Sequence, residues 1–121
     1  MILVDSNVII YHLNGVANAT QFLIKNRGNM AISTITVAEV LSFNVSPEIL
    51  KSTENLLKEQ FVWIDVSREI IYKSAEIRRH KKTKTPDAII GATALLHQLT
   101  LATRNVGDFE HLPITVVNPI D

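Results

Sequence analysis

Short apolar runs alternate along this chain with longer stretches whose apolar residues recur at helical spacing. Ile2-Leu3-Val4, Met30-Ala31-Ile32, Phe61 to Val66, Leu101-Ala102-Thr103 and Ile114 to Val117 read as strands. Between the first two lie a short helix over Val8 to Leu13 and a second over Ala17 to Lys25, broken by Asn14-Gly15. Asn26-Arg27-Gly28-Asn29 is a turn by composition. Ile35 to Leu41 reads as a helix. Another opens at Ser46-Pro47, with Pro in the first turn, and runs to about Gln60. Ser67 is a plausible N-cap for a helix through Ile70, Ile71, Ala75 and Ile77, although Ser67 to Ile70 does not complete a capping box. The clearest helix follows Thr85-Pro86-Asp87, with Thr85 expected at the N-cap, Pro86 at the first helical position and Ala88, Ile89, Ala92, Leu95, Leu96 and Leu99 at helical spacing.

Strands separated by helices predict a three-layer α/β fold with a mainly parallel sheet. Right-handed crossovers bring the carboxyl ends of all parallel strands to one edge, where open α/β sheets bind their ligands. At 121 residues the chain is expected to be one domain, without repeats or linkers. A hydrophobic fraction of 46% and a charged fraction of 20% fit a folded protein rather than a disordered one. The absence of cysteine excludes a disulfide framework and thiolate metal sites. The amino terminus makes a poor signal peptide, and no apolar run approaches the ~20 residues of a membrane-spanning helix, so a cytoplasmic location is expected.

Net charge is zero, with 12 basic and 12 acidic residues, which excludes a strongly basic nucleic-acid binder at the level of the whole chain. The charges are unevenly spread. Arg78, Arg79, Lys81, Lys82 and Lys84 form a dense basic block around His80. Its ordinary reading is a solvated helix end, and its sharper reading is a phosphate-contacting patch.

The acidic residues change the picture more. Asp5 follows the first strand, Glu39 lies in the helix after the second, Asp87 sits in the first turn of the clearest helix, and Asp108 follows the fourth strand. Each has an ordinary explanation. Asp5 can cap the next helix, Thr36 to Glu39 matches a capping box, the helix dipole favours Asp87, and Asp108 can make a side-chain turn. What favours a functional reading is that all four map to the same sheet edge. Carboxylates brought together repel, and a divalent cation resolves that; all-oxygen ligands favour magnesium or manganese over zinc. Such a site suits phosphodiester hydrolysis, in which metal lowers the pKa of a bound water and one carboxylate orients or deprotonates it.

Four stretches carry a family resemblance: Val4 to Ile10, Ile35 to Leu41, Pro86 to Ala94 and Thr103 to Phe109. Together, and in this order, they resemble the PIN domain, specifically the small VapC-type toxin ribonucleases. The resemblance implies a sheet in the order 3-2-1-4-5 and a magnesium- or manganese-dependent endoribonuclease acting on RNA. It also implies a homodimer neutralised by a small antitoxin protein. Carried over by position, it makes Asp5, Glu39, Asp87 and Asp108 the acidic quartet and Asp5, Asp87 and Asp108 metal ligands, with Ser6, Thr103 and Asn105 in support through hydrogen bonds. Ser6 stands where the family often has Thr, and both supply a hydroxyl.

Arg104, Arg79, Lys81 and Lys82 are candidates for substrate contact, Arg104 having pairing with an acidic neighbour as its alternative. His12, His80, His97 and His111 share no metal-ligand spacing and read as structural or surface residues, with His80 a weak candidate for RNA contact. Trp63 is expected in the core. Phe43, Leu50 and Leu57 are expected in the core or at an interface. Rival readings are a PIN nuclease in RNA processing without an antitoxin, a receiver-type signalling domain and an inactive binding module. The receiver reading lacks the acidic pair it needs after Asp5 and a lysine after the last strand.

Overall fold

The computed structural model describes all 121 residues. A parallel sheet of five strands forms its middle layer: β1 (Ile2–Val4), β2 (Met30–Ser33), β3 (Val62–Ile64), β4 (Thr100–Ala102) and β5 (Val116–Val117), in the order β3-β2-β1-β4-β5. The expected topology is therefore the observed one. Six helices connect the strands: α1 (Ser6–Leu13), α2 (Ala17–Lys25), α3 (Thr34–Val40), α4 (Pro47–Gln60), α5 (Arg68–His80) and α6 (Thr85–His97). A 3₁₀ turn, Val106–Phe109, lies between β4 and β5, where an irregular loop was expected.

Alternation along the two central strands divides the core. Val4, Met30 and Ile32 face one side, with Val8, Ile9, Leu23, Val40 and Leu57 of the covering helices. Leu3 and Ala31 face the other, with Ile90 and Ala94 of α6 and Phe109 of the 3₁₀ turn. Residues of successive pleats bury on opposite faces, so a strand covered on both sides reads as a continuous apolar run. α5 and α6 pack as a hairpin over Ile70, Ile77, Ala88, Ile89 and Ala92. The small side chains of α6 permit that close approach.

Three local expectations are corrected. α6 begins at Thr85, with Lys84 in extended conformation at the N-cap. The Lys84 carbonyl accepts the first helical bond from the Ala88 amide at 2.9 Å, which moves the cap one residue toward the amino terminus and leaves it without a side-chain acceptor. The Thr36–Glu39 capping box does not form. Ser33 caps α3, its Oγ accepting from the Ile35 amide at 3.2 Å, while Thr36 is fully buried inside the helix. Trp63 is 37% exposed because β3 is a sheet edge; its indole Nε1 donates to the Leu57 carbonyl at 2.9 Å, satisfying one of the last open carbonyls of α4. Ser67 caps α5 as expected, accepting from the Ile70 amide at 3.1 Å. Of the apolar residues before β3 expected in the core or at an interface, Leu57 is core, whereas Phe43 and Leu50 are exposed.

Gly91 sets the distance between α6 and the segment after the 3₁₀ turn. A Cβ there would stand 2.5 Å from Leu112 Cδ1. Gly91→Ala gains about 1 kcal/mol of helix propensity that offsets the displacement of one flexible methyl, and should be near neutral. Gly91→Val should destabilise by about 1–3 kcal/mol in urea unfolding. Wild-type stability in Gly91→Val would contradict the packing described.

Candidate active site at the carboxyl edge of the sheet

Asp5 is the first residue past β1 and serves two functions there. Its Oδ1 accepts from the Ser6 amide at 2.8 Å, capping α1, and its Oδ2 accepts from the Thr103 hydroxyl at 2.9 Å. The pairing of β1 with β4 makes the second contact possible, because the Asp5 amide still donates to Ala102 at 2.9 Å and Thr103 follows directly. Asp5 is 6% exposed and Thr103 fully buried.

Asn7 ties this corner together and is absent from the residues singled out by sequence. Its Nδ2 lies 3.1 Å from Thr103 Oγ1 and 3.5 Å from Asp5 Oδ2, and its Oδ1 accepts from the Arg104 amide at 3.2 Å. The signal was its position two residues beyond a strand-end Asp, on the first turn of the helix that follows. Asn105 supports the corner through its main chain, its amide donating to Thr103 Oγ1 at 3.1 Å. Ser6 contributes its amide to Asp5, and its hydroxyl favours the charged form of Glu39.

Three of the four carboxylates, Asp5, Glu39 and Asp87, feel one another, and Asp87 also feels Asp108. Burial pushes the Asp5 carboxyl above its ordinary range; the Thr103 hydroxyl and the Ser6 amide oppose this, and the Glu39 charge adds to it. Burial raises Glu39, opposed by the Ser6 hydroxyl and reinforced by Asp87. Burial raises Asp87, with Asp5 and Asp108 adding to the rise and Lys84 opposing it. Glu39 projects from the second turn of α3, Asp87 from the first turn of α6 and Asp108 from the 3₁₀ turn. The ion pairs of the structure, Lys58–Glu54, Lys73–Glu76 and Arg104–Asp121, involve none of the four. No three Asp, Glu or His side chains converge on a ready-made coordination point. The donor set nevertheless fits a hard divalent cation: it is all carboxylate oxygen, it has no ion-pair partner, and burial and neighbouring charge raise the proton affinity of Asp5, Glu39 and Asp87.

The expected basic contacts are sorted by the fold. A cleft of about 520 Å³ lies beside the acidic edge, lined by Arg78, Lys81, Lys82, Thr83, Lys84, Asp87, Gly107, Asp108 and His111. Lys81 and Lys82 face it, whereas Arg79 and His80 do not. His111 joins the site region unexpectedly, with both ring nitrogens buried and unpartnered. The Arg104 guanidinium is committed elsewhere: it lies 5.1 Å over the Tyr11 ring, bonds the Tyr11 hydroxyl, and reaches Asp121 Oδ2 from Nε at 3.3 Å. The alternative of pairing with an acidic neighbour is therefore the one realised. His12 bonds Thr20 Oγ1 at 2.7 Å and is structural.

The Thr103–Asp5 bond gives a pH-dependent test. With its pKa raised in the folded state, Asp5 contributes more stability below its unfolded pKa and loses that contribution as pH rises through the folded value. The Thr103 hydroxyl favours the ionised form, so Thr103→Val enlarges that loss. The substitution should cost about 2 kcal/mol near neutral pH and less in acid. A cost independent of pH in denaturant titrations would contradict the contact.

The similarities of the chain agree with this architecture. The family profile of the PIN domain matches residues 2–114. Ribonuclease VapC10 of Mycobacterium tuberculosis is 34% identical over 117 residues, covering 90% of this chain and 86% of the relative. A toxin–antitoxin complex from Klebsiella pneumoniae contains a chain 39% identical to this one, with a TM-score of 0.87 and 98% of each chain covered. FitAcB from Neisseria gonorrhoeae is 27% identical, with a TM-score of 0.81 and 98% of each chain covered. With the topology and the acidic edge in place, these matches make the chain a member of the PIN-domain family.

Proposed function

We propose that the chain is an endoribonuclease of the toxin type, hydrolysing RNA phosphodiester bonds with magnesium or manganese and restrained by a cognate antitoxin protein. The observation that supports the proposal is a group of carboxylates where the strands end, Asp5, Glu39 and Asp87 repelling one another and Asp108 repelling Asp87, with none of them in an ion pair. The ribonuclease name of a 34% identical relative supports the reaction, and the toxin–antitoxin complex containing a 39% identical chain supports the partner. A homodimer belongs to the same reading.

Asp5, Asp87 and Asp108 are the residues to hold the cation, which when bound supplies an activated water and neutralises charge on the phosphate. The protein groups do the rest. Thr103 and Asn7 fix the Asp5 carboxylate in one orientation, so the site costs little reorganisation at the moment of reaction. Glu39, raised by burial, is the carboxylate suited to take the proton of the attacking water. The water oxygen bonds to phosphorus, and the departing sugar oxygen leaves with the electrons of the broken bond. The Ser6 hydroxyl keeps Glu39 able to ionise and hence able to accept that proton.

The test is cleavage of total RNA by the purified protein. Magnesium should support cleavage and a chelator should abolish it. Asp5→Asn should reduce it at least as much as the loss of a metal site's outer hydrogen bonds, about 10–100-fold. Equal cleavage in all three samples would rule out the metal-nuclease reading.

A further inference from the structure

We propose that the cleft between the α5–α6 turn and the 3₁₀ turn is a phosphate subsite that grips the RNA strand away from the bond being cleaved, beside the acidic edge. The proposal rests on the nuclease reading for its substrate class. The residues of the cleft determine its position.

No apolar residue lines the cleft, and Arg78, Lys81, Lys82 and Lys84 supply its positive charge. None of the four takes part in an ion pair. The turn that carries them is braced from within: Arg78 Nε donates to the Thr83 carbonyl at 2.9 Å, and Thr83 Oγ1 donates to the Lys81 carbonyl at 2.9 Å. The cations therefore stand on a fixed turn. A volume of about 520 Å³ is within the range of small-ligand sites and admits part of a nucleotide strand. Asp87 and Asp108 belong to both the cleft wall and the acidic cluster. A strand lying against the lysines thus runs directly onto the carboxylates.

Arg104, which follows Thr103 past β4, is already engaged by Tyr11 and Asp121. Within the basic block the fold also separates cleft cations from bystanders. Arg79 continues the same run of charge but does not face the cleft. His111 lines the cleft beside Asp108, with both ring nitrogens buried. A protein segment is a poorer occupant, because stable protein contacts are anchored by apolar or aromatic side chains. An apolar surface of that kind lies elsewhere, in the groove formed by Leu13, Val40, Phe43, Ile49 and Leu50.

The experiment is binding of a fluorescein-labelled, randomised single-stranded RNA to the full chain, read by anisotropy over a series of salt concentrations with magnesium. Asp5→Asn serves as the common background so that the probe stays intact. Each phosphate contact on a single strand contributes about 0.7 to the slope of log affinity against log salt. Lys81→Ala with Lys82→Ala should lower the slope by about 1.4 and weaken binding several-fold, and Lys84→Ala should lower it by about 0.7. Arg79→Ala should leave the slope unchanged. Unchanged slopes in the cleft variants, or an equal fall in Arg79→Ala, would overturn the subsite. So would displacement of the RNA by polyglutamate at lower concentration than by unlabelled RNA, which would assign the cleft to an acidic protein segment. The two readings fail separately. RNA bound through the cleft but never cleaved by the wild-type chain defeats the nuclease reading and keeps the subsite, whereas metal-dependent cleavage with unchanged slopes does the reverse.

Discussion

Like charges held together at the end of a sheet are the constraint around which this molecule is arranged. Carboxylates brought near one another in a partly buried site raise each other's proton affinity, and burial adds to the effect. The fold does not relieve this with a lysine or arginine in contact. Lys84 is the cation Asp87 feels, and its effect is smaller than those of burial, Asp5 and Asp108. The hydrogen bonds from Thr103, Asn7 and the Ser6 amide keep Asp5 in place against the repulsion. They orient the charge without neutralising it, which is the property a cation site requires.

The rest of the fold delivers these groups. Pairing of β1 with both β2 and β4 puts Asp5 at the centre of the carboxyl edge, with Thr103 beside it. α3 brings Glu39 from one side, while the α5–α6 hairpin brings Asp87 and the basic turn from the other. The 3₁₀ turn that carries Asp108 is anchored by the fully buried Phe109, with Leu112 close to Gly91 of α6. One edge thus presents an acidic centre with a cationic cleft beside Asp87 and Asp108.

Much of this was readable from residues because it rests on local patterns. The strands are apolar runs of the right length, and the order of elements dictates a parallel sheet with its carboxyl ends together. The acidic residues fall near those ends in sequence, so their shared edge follows from the order of elements. What the chain did not disclose depends on contacts remote in sequence. Asn7 looks like an ordinary helix-start residue until β4 brings Thr103 within 3.1 Å of it. Arg104 reads equally as a substrate contact or as an ion-pair partner until Tyr11 and Asp121 are seen to hold it. Trp63 reads as core because a strand's place at the sheet edge is a property of topology rather than composition. The basic block reads as one patch, and only the direction of the turn separates Lys81 and Lys82 from Arg79.

Thermal unfolding at neutral pH, with and without magnesium or manganese, tests the central claim most directly in the wild-type chain and Asp87→Asn. A ligand that binds only the folded state stabilises it in proportion to the logarithm of its excess over the dissociation constant. If repelling carboxylates await a cation, either ion should raise the wild-type midpoint. Asp87→Asn should melt higher than wild type without the ion, because one repelling charge is gone, and should gain less when the ion is added. A wild-type midpoint indifferent to both ions, or an equal gain in Asp87→Asn, would contradict the account.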